Sequence, residues 1–251
     1  MPHQPYRRIV PDSDTAVVFV HGIVGTPDQF QPLLPLVPEH WSVDNLLLPG
    51  HGGSVQDFSR SSMAAWRAHV AAHIDDLAVT HQHILLVGHS MGTLFCIGEA
   101  IKRPTQIAGL FLLAAPLRIG LKPSAIRQSL QVAFNIPRKT EAAQAAFRAC
   151  SIAATPKLWQ YLGWVPRYLE LFQASRQGRQ QISQVAVPTV AVQSQQDEMV
   201  SLRSCRHWKG LDRVTVHLLP RSRHFFYHSD DLPVLQQYFR NFCAQFSSTN
   251  A

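Results

Sequence analysis

The chain has 251 residues, of which 46% are apolar and 16% charged, enough for one sizeable domain with its own buried core. These proportions exclude a disordered chain and a small disulfide-stapled scaffold. Lysine and arginine outnumber aspartate and glutamate by 23 to 16, a net charge of +7, so nucleic acid, anionic lipid and acidic substrates all enter as candidate partners.

At the start, Met1-Pro2-His3-Gln4-Pro5-Tyr6-Arg7-Arg8 lacks the apolar core of a signal peptide. No later stretch approaches the roughly 18 uninterrupted apolar residues of a membrane span. A soluble, cytoplasmic protein is expected. Cys96, Cys150, Cys205 and Cys243 stand 54, 55 and 38 residues apart, without CxxC spacing or clustering, and four free thiols suit a reducing compartment.

Short apolar runs rich in β-formers predict buried strands at 16–20, 43–48, 84–87, 110–113, 189–192 and 214–219, each followed by turn residues. Between them, Met63, Trp66, Val70, Ile74 and Leu77 recur at helical spacing, as do Leu94, Phe95, Ile97 and Ile101. Leu235, Tyr238, Phe239, Phe242 and Phe246 repeat the pattern in a closing helix. Strands alternating with helices predict an α/β fold with a doubly wound, mostly parallel sheet.

The alternation stops after Pro116 and resumes near Val187. Residues 118–185 are therefore assigned to a helical cap inserted into a core of 1–117 and 186–251. Between Arg118 and Ile182 ten basic residues face two acidic ones, Glu141 and Glu170, so this segment carries +8 and the remainder is nearly neutral. It also holds Phe134, Phe147, Trp159, Tyr161, Trp164, Tyr168 and Phe172. An apolar underside that receives substrate is expected, with Trp159, Trp164 and Phe134 as candidate lining residues. The basic face allows a weak contact with an anionic membrane surface. Without an arginine-rich array or an aromatic nucleic-acid module, nucleic acid is rejected as a partner.

The strongest chemical signal is Gly88-His89-Ser90-Met91-Gly92, which directly follows the strand at 84–87 and precedes the stripe beginning at Leu94. Strand, GxSxG and helix in that order predict a nucleophile elbow, in which a sharp turn presents Ser90 Oγ above the sheet. A serine hydroxyl needs a base, and the base needs a partner that fixes its tautomer. Both are expected in loops after later strands, the acid first. Asp197 and His224 stand in those places. His228 is the rival base and Glu198 the rival acid, while Asp230 and Asp231 are expected to begin the last helix. His69 and His73 share a helix face, but no HExxH glutamate accompanies them, so no metal site is expected. For an oxyanion formed at Ser90, the candidate donors are the backbone N–H groups of Met91 and of Ile23, the latter in His21-Gly22-Ile23-Val24-Gly25. Pro49-Gly50-His51-Gly52-Gly53 is a glycine-rich turn near the site without an expected chemical role.

In these features, taken in chain order, the sequence resembles the α/β-hydrolase family, and within it the carboxylesterases and monoacylglycerol lipases. The resemblance covers about 15–117 and 187–246. It implies Ser90 as nucleophile, His224 as base, Asp197 as orienting acid, Ile23 and Met91 as oxyanion donors, and no cofactor. The implied activity is cleavage of carboxylic esters of short or medium acyl chains or of monoacylglycerols. A thioester, an amide or a carbon–carbon bond remains an alternative on the same residues, and a ligand receptor on the same fold is the alternative from another class. Arg223 stands before His224 where many relatives have glycine. His21-Gly22-Ile23-Val24 lacks the three successive glycines of one lipase and esterase branch, so bulky tertiary-alcohol esters are less expected.

Overall fold

The computed structural model describes residues 3–124 and 140–247. Seven strands form one sheet: β1 (Tyr6–Arg8), β2 (Thr15–Val20), β3 (Ser42–Asn45), β4 (His83–His89), β5 (Ile107–Leu113), β6 (Thr189–Ser194) and β7 (Val214–Leu219). Their order is β1-β3-β2-β4-β5-β6-β7. Only β1 runs antiparallel to its neighbour. The described helices are α1 (Val55–Arg60), α2 (Met63–Ala78), α3 (Met91–Lys102), α4 (Glu141–Arg148), α5 (Val165–Gln181) and α6 (Leu232–Ser247). This is the doubly wound α/β sheet expected from the alternation.

Both faces of the central strands are covered, so apolar residues run continuously along them. Val18, Leu86 and Leu112 face one layer, where Trp66, Val70 and Ile74 of α2 pack with Phe95 of α3. Val17, Phe19, Leu85 and Phe111 face the other, closed by Leu235, Phe239 and Phe242 of α6. Each such burial stabilises the fold by about 1.5–3 kcal/mol relative to an exposed side chain.

Strand order positions the site. The chain passes from β2 to β3 on one side, then crosses to β4 on the other, so the crevice where winding reverses lies between β2 and β4. Their registered ends, Val20 beside Gly88, bring the loops after these two strands together.

Three elements differ from expectation. Strand β3 ends at Asn45, and the apolar run continues as irregular chain held by Leu46 N–H on the Phe19 carbonyl. Strand β7 is a sheet edge, so Val216 and Leu218 are exposed rather than buried. Strand β1, with no apolar run to announce it, joins through backbone pairing to β3.

The chain between β5 and β6 contains α4, a 3-10 segment at Leu158–Trp164, and α5, with no named strand among its described residues. It is seated on the α1–α2 junction. Glu170 accepts from the Met63 N–H at 2.9 Å, Arg167 donates to the carbonyls of Ser59 and Ser61, and Trp164 Nε1–H donates to the Val55 carbonyl at 3.2 Å. Among the described residues, no helix is long and apolar enough to cross a membrane.

Candidate active site

Strand β4 ends at His89 and α3 begins at Met91, leaving Ser90 alone to make the turn at φ 51°, ψ −122°. That conformation is costly for a residue with a Cβ, on the order of 1–3 kcal/mol, and it persists because strand and helix on either side dictate it. The flanking glycines follow from contact. A Cβ on Gly92 would lie 2.0 Å from the Val20 carbonyl oxygen, and one on Gly88 would lie 2.8 Å from the Thr93 Cα. GxSxG spacing is thus a steric requirement of bringing Ser90 against the end of β2.

Asp197 and His224 come from the loops after β6 and β7. The described geometry brings both to Ser90: His224 Nε2 lies 3.1 Å from Ser90 Oγ, and His224 Nδ1 lies 2.9 Å from Asp197 Oδ2. All three are buried. Asp197 Oδ1 accepts from the N–H groups of Met199 and Val200, each at 2.8 Å, and Oδ2 also accepts from Gln193 Nε2 at 3.1 Å. Burial alone would raise the Asp197 pKa; the neighbouring His224 and the two amides outweigh it and hold the carboxyl below its usual range. An ionised carboxylate only accepts, so Nδ1 carries the imidazole proton and Nε2 is left to accept from the Ser90 hydroxyl.

The rivals lie elsewhere. His228 is partly exposed and its Nδ1 accepts from the Asp230 N–H. Glu198 is buried, but its Oε2 meets the His224 backbone N–H at 3.4 Å, not the ring. Asp231 clamps the loop that carries His224, accepting from Arg221 N–H, Ser222 N–H and Ser222 Oγ. His73 pairs with Asp44 at 2.7 Å.

The loop after β2 is pinned from several directions. His21 Nδ1–H donates to the Gly22 carbonyl at 2.8 Å and Nε2 accepts from the Leu48 N–H at 3.0 Å. Gly25 N–H closes the turn on the Gly22 carbonyl at 3.0 Å. A Cβ on Gly22 would lie 3.0 Å from that of Ser90, so this glycine lets the loop approach the elbow. Among the described residues the Ile23 N–H has no hydrogen-bond acceptor. Met91 opens α3, and N–H groups of a first helical turn have no helical carbonyl to bond.

Two buried histidines contribute in ways the motifs do not announce. His89 Nε2–H donates to the His224 carbonyl at 3.0 Å, tying the elbow to the loop that carries His224. Burial pushes its pKa down to about 3, and that of His21 down to about 4. Both are neutral in the fold but gain protons near pH 6.5 in the unfolded chain. Below that pH the unfolded chain binds more protons than the folded one, so stability falls as pH drops through the window from 6.5 toward 4 and 3. The thermal midpoint should therefore decline between about pH 7 and 5. His89→Gln, which keeps a donor without titrating, should make that decline shallower; an unchanged slope would mean His89 does not contribute.

A cavity of about 980 Å³ is bordered by Phe225, the residue after His224, while Ser90, Asp197, His224, Ile23 and Met91 are not among the residues that line it. Its walls come from Phe147 to Ala154 around the end of α4, from Thr26 to Pro32, and from Phe225 to Tyr227. The Phe225 ring centre lies 4.6 Å from that of His224, which makes it the link between cavity wall and imidazole that the ring contacts show. Of the candidate lining residues, Trp159 is 67% exposed, and Trp164 packs on Phe58 at 4.9 Å; neither lines this cavity. Phe134 lies outside the described residues.

Comparison with known proteins agrees with the fold. The alpha/beta hydrolase family model matches residues 17–244. Pimeloyl-[acyl-carrier protein] methyl ester esterase of Neisseria meningitidis serogroup B is 31% identical over 121 residues, which make up 47% of this chain and 43% of that protein. The chain thus matches less than half the length of this relative. A chain from the pair LipS and LipT, metagenome-derived lipolytic enzymes, superposes with a TM-score of 0.73 at 20% identity, covering 97% of this chain and 98% of that one. Paleococcus ferrophilus monoacylglycerol lipase does so with a TM-score of 0.70 at 16% identity, covering 96% and 99%. At such identities the likeness is one of fold.

Proposed function

Because the chain belongs to the alpha/beta hydrolase family, we propose that it is a serine hydrolase cleaving carboxylic esters through Ser90, His224 and Asp197. The observation that carries this reading is the His224 ring, which spans Ser90 Oγ at 3.1 Å and Asp197 Oδ2 at 2.9 Å. His224 Nε2 takes the Ser90 proton as Oγ attacks the ester carbonyl, and Asp197 stabilises the imidazolium that forms. The N–H groups of Ile23 and Met91 receive the tetrahedral oxyanion. His224 then gives its proton to the departing alcohol, leaving an acyl group on Ser90. Water repeats the sequence: His224 removes its proton, the hydroxide attacks the acyl carbonyl, and acid leaves as Ser90 regains its hydrogen.

The substrates in this reading are esters of short or medium acyl chains, or monoacylglycerols, with residues 118–185 acting as the cap. The cavity bordered by Phe225 supports an apolar chain as the bound group, since aromatic and aliphatic side chains supply much of its wall. A carboxylic ester as the bond cleaved fits the methyl ester named for the Neisseria relative. Leu162, Val165, Leu169 and Phe172 form an exposed stripe at helical spacing, with Lys157 before it and Arg176 continuing it. Such a face supports contact with an anionic lipid surface, from which a lipid ester is drawn.

A series of esters graded by acyl length tests this assignment, run with and without phosphatidylglycerol vesicles and alongside labelling by a fluorophosphonate. The label should fall on Ser90, rates should peak at short to medium chains, and the chain should sediment with the vesicles. A label elsewhere would remove Ser90 from the reaction. A flat length profile would remove the cavity from substrate selection, and protein left in the supernatant would remove the lipid contact.

A further inference from the structure

Val24 follows the Ile23 donor and occupies φ 50°, a region that β-branched residues avoid. It is the third residue of the turn that Gly25 N–H closes on the Gly22 carbonyl, and positive φ at that position ordinarily calls for glycine. A valine there relaxes unless something outside the turn restrains it.

The restraint comes from 127 residues away in sequence. The Val24 carbonyl accepts from Ser151 N–H at 2.9 Å and from Ser151 Oγ at 3.4 Å. Ser151 is buried, with 4% of its surface exposed. It lies just past α4, on the chain between β5 and β6. The neighbouring segment is anchored as well, since Ala153 N–H donates to the Gly53 carbonyl at 2.9 Å. The same Ser151 lines the cavity that Phe225 borders.

We propose that Ser151 is a positioning residue for the oxyanion site: its hydrogen bonds to the Val24 carbonyl hold the turn in the form that aims the Ile23 N–H at the oxyanion. The inserted segment then completes the catalytic centre instead of only roofing it. This rests on the ester-hydrolase reading and adds to it a dependence of kcat on a residue that touches neither substrate carbonyl nor nucleophile.

Ser151→Pro removes the amide donor and Ser151→Ala only the hydroxyl. The first should lower kcat on the order of 30-fold, part of the 10²–10³ that a whole oxyanion donor supplies, with KM changed by less than about threefold. The second should lower kcat about threefold. Adding Val24→Gly to either variant should restore most of the loss, because glycine holds a positive φ unaided. A purely structural role predicts instead a lower thermal midpoint with kcat per folded molecule unchanged; stability alone does not discriminate, because Val24→Gly relieves the positive-φ strain and would restore it on either account. Should Ser151→Pro fail to fold, the Ser151→Ala and Ser151→Ala/Val24→Gly pair carries the test by the same rescue. Unchanged kcat in the folded Ser151 variants, or loss without rescue, overturns the proposal. A wild-type chain that hydrolyses no ester and takes no label at Ser90 overturns the function instead, so the two failures are distinguishable.

Discussion

Replacing Ser90 with alanine is expected to lower ester turnover by about 10⁴–10⁶-fold while leaving the fold intact. The size follows from the proposed chemistry: without Oγ no acyl-enzyme forms, and His224 and the proposed Ile23 and Met91 donors are left with only an activated water to direct. The intact fold follows from structure. The Ser90 hydroxyl bonds to His224 Nε2, and Asp197 continues to hold the far side of that ring. The backbone at φ 51° is as strained for alanine as for serine, because both carry a Cβ. The thermal midpoint should therefore move by no more than a few degrees. Steady-state kcat on a short-chain ester, measured beside a melting curve, checks both halves. Turnover within tenfold of wild type, from a sample cleared of contaminating esterase, would end the assignment of Ser90.

The elbow was legible in the sequence because its spacing is dictated by contact. Nothing larger than hydrogen fits at Gly92 against the Val20 carbonyl, so a strand, two spaced glycines and a helix describe one geometry. Asp197 and His224 could be located because a doubly wound sheet places its loops on one edge, and each follows a strand whose apolar run is plain. The edges of the sheet were less legible. Tyr6–Arg8 pairs through its backbone and has no buried face to write an apolar pattern. The last strand has the apolar residues of a core strand but a neighbour on one side only, so its side chains stay half exposed.

Spacing is a weaker guide between β5 and β6. Leu162, Val165, Leu169 and Phe172 repeat at intervals that elsewhere mean a buried stripe, yet here they face outward while Leu171 and Ala174 turn inward. An apolar pattern says that a helix has a face, not what covers it. The supports of the site were hidden for a different reason: they act through backbone atoms. His89 meets a carbonyl of His224, Ser151 meets a carbonyl of Val24, and Asp231 collects N–H groups from Arg221 and Ser222. A carbonyl belongs to every residue, so no residue type at the receiving end marks the partnership.

Asp197→Asn is the sharpest test of the base. Oδ1 of Asp197 accepts from the N–H groups of Met199 and Val200 at 2.8 Å each, so an asparagine must keep its carbonyl oxygen there. Its NH₂ then takes the place of Oδ2, 2.9 Å from His224 Nδ1, and donates where the carboxylate accepted. The imidazole answers by moving its proton to Nε2, which now points N–H at Ser90 Oγ and cannot take a proton from it. The change is nearly isosteric and loses one hydrogen bond, that from Gln193 Nε2, which keeps its bond to the Ser194 carbonyl, so the fold should survive with kcat lowered by about 10⁴. Asp197→Ala would be a poorer probe, because it strands two buried amides at about 1–3 kcal/mol each and mixes instability with lost chemistry. Paired with Glu198→Gln, the measurement also separates the two acids. Glu198 meets His224 through its backbone N–H at 3.4 Å, so its amide should leave the tautomer alone and lower kcat by less than about tenfold. If the larger loss instead followed the Glu198 substitution, with Asp197→Asn near wild type, the orienting carboxylate would be Glu198 and the 2.9 Å contact to Nδ1 would have no catalytic weight.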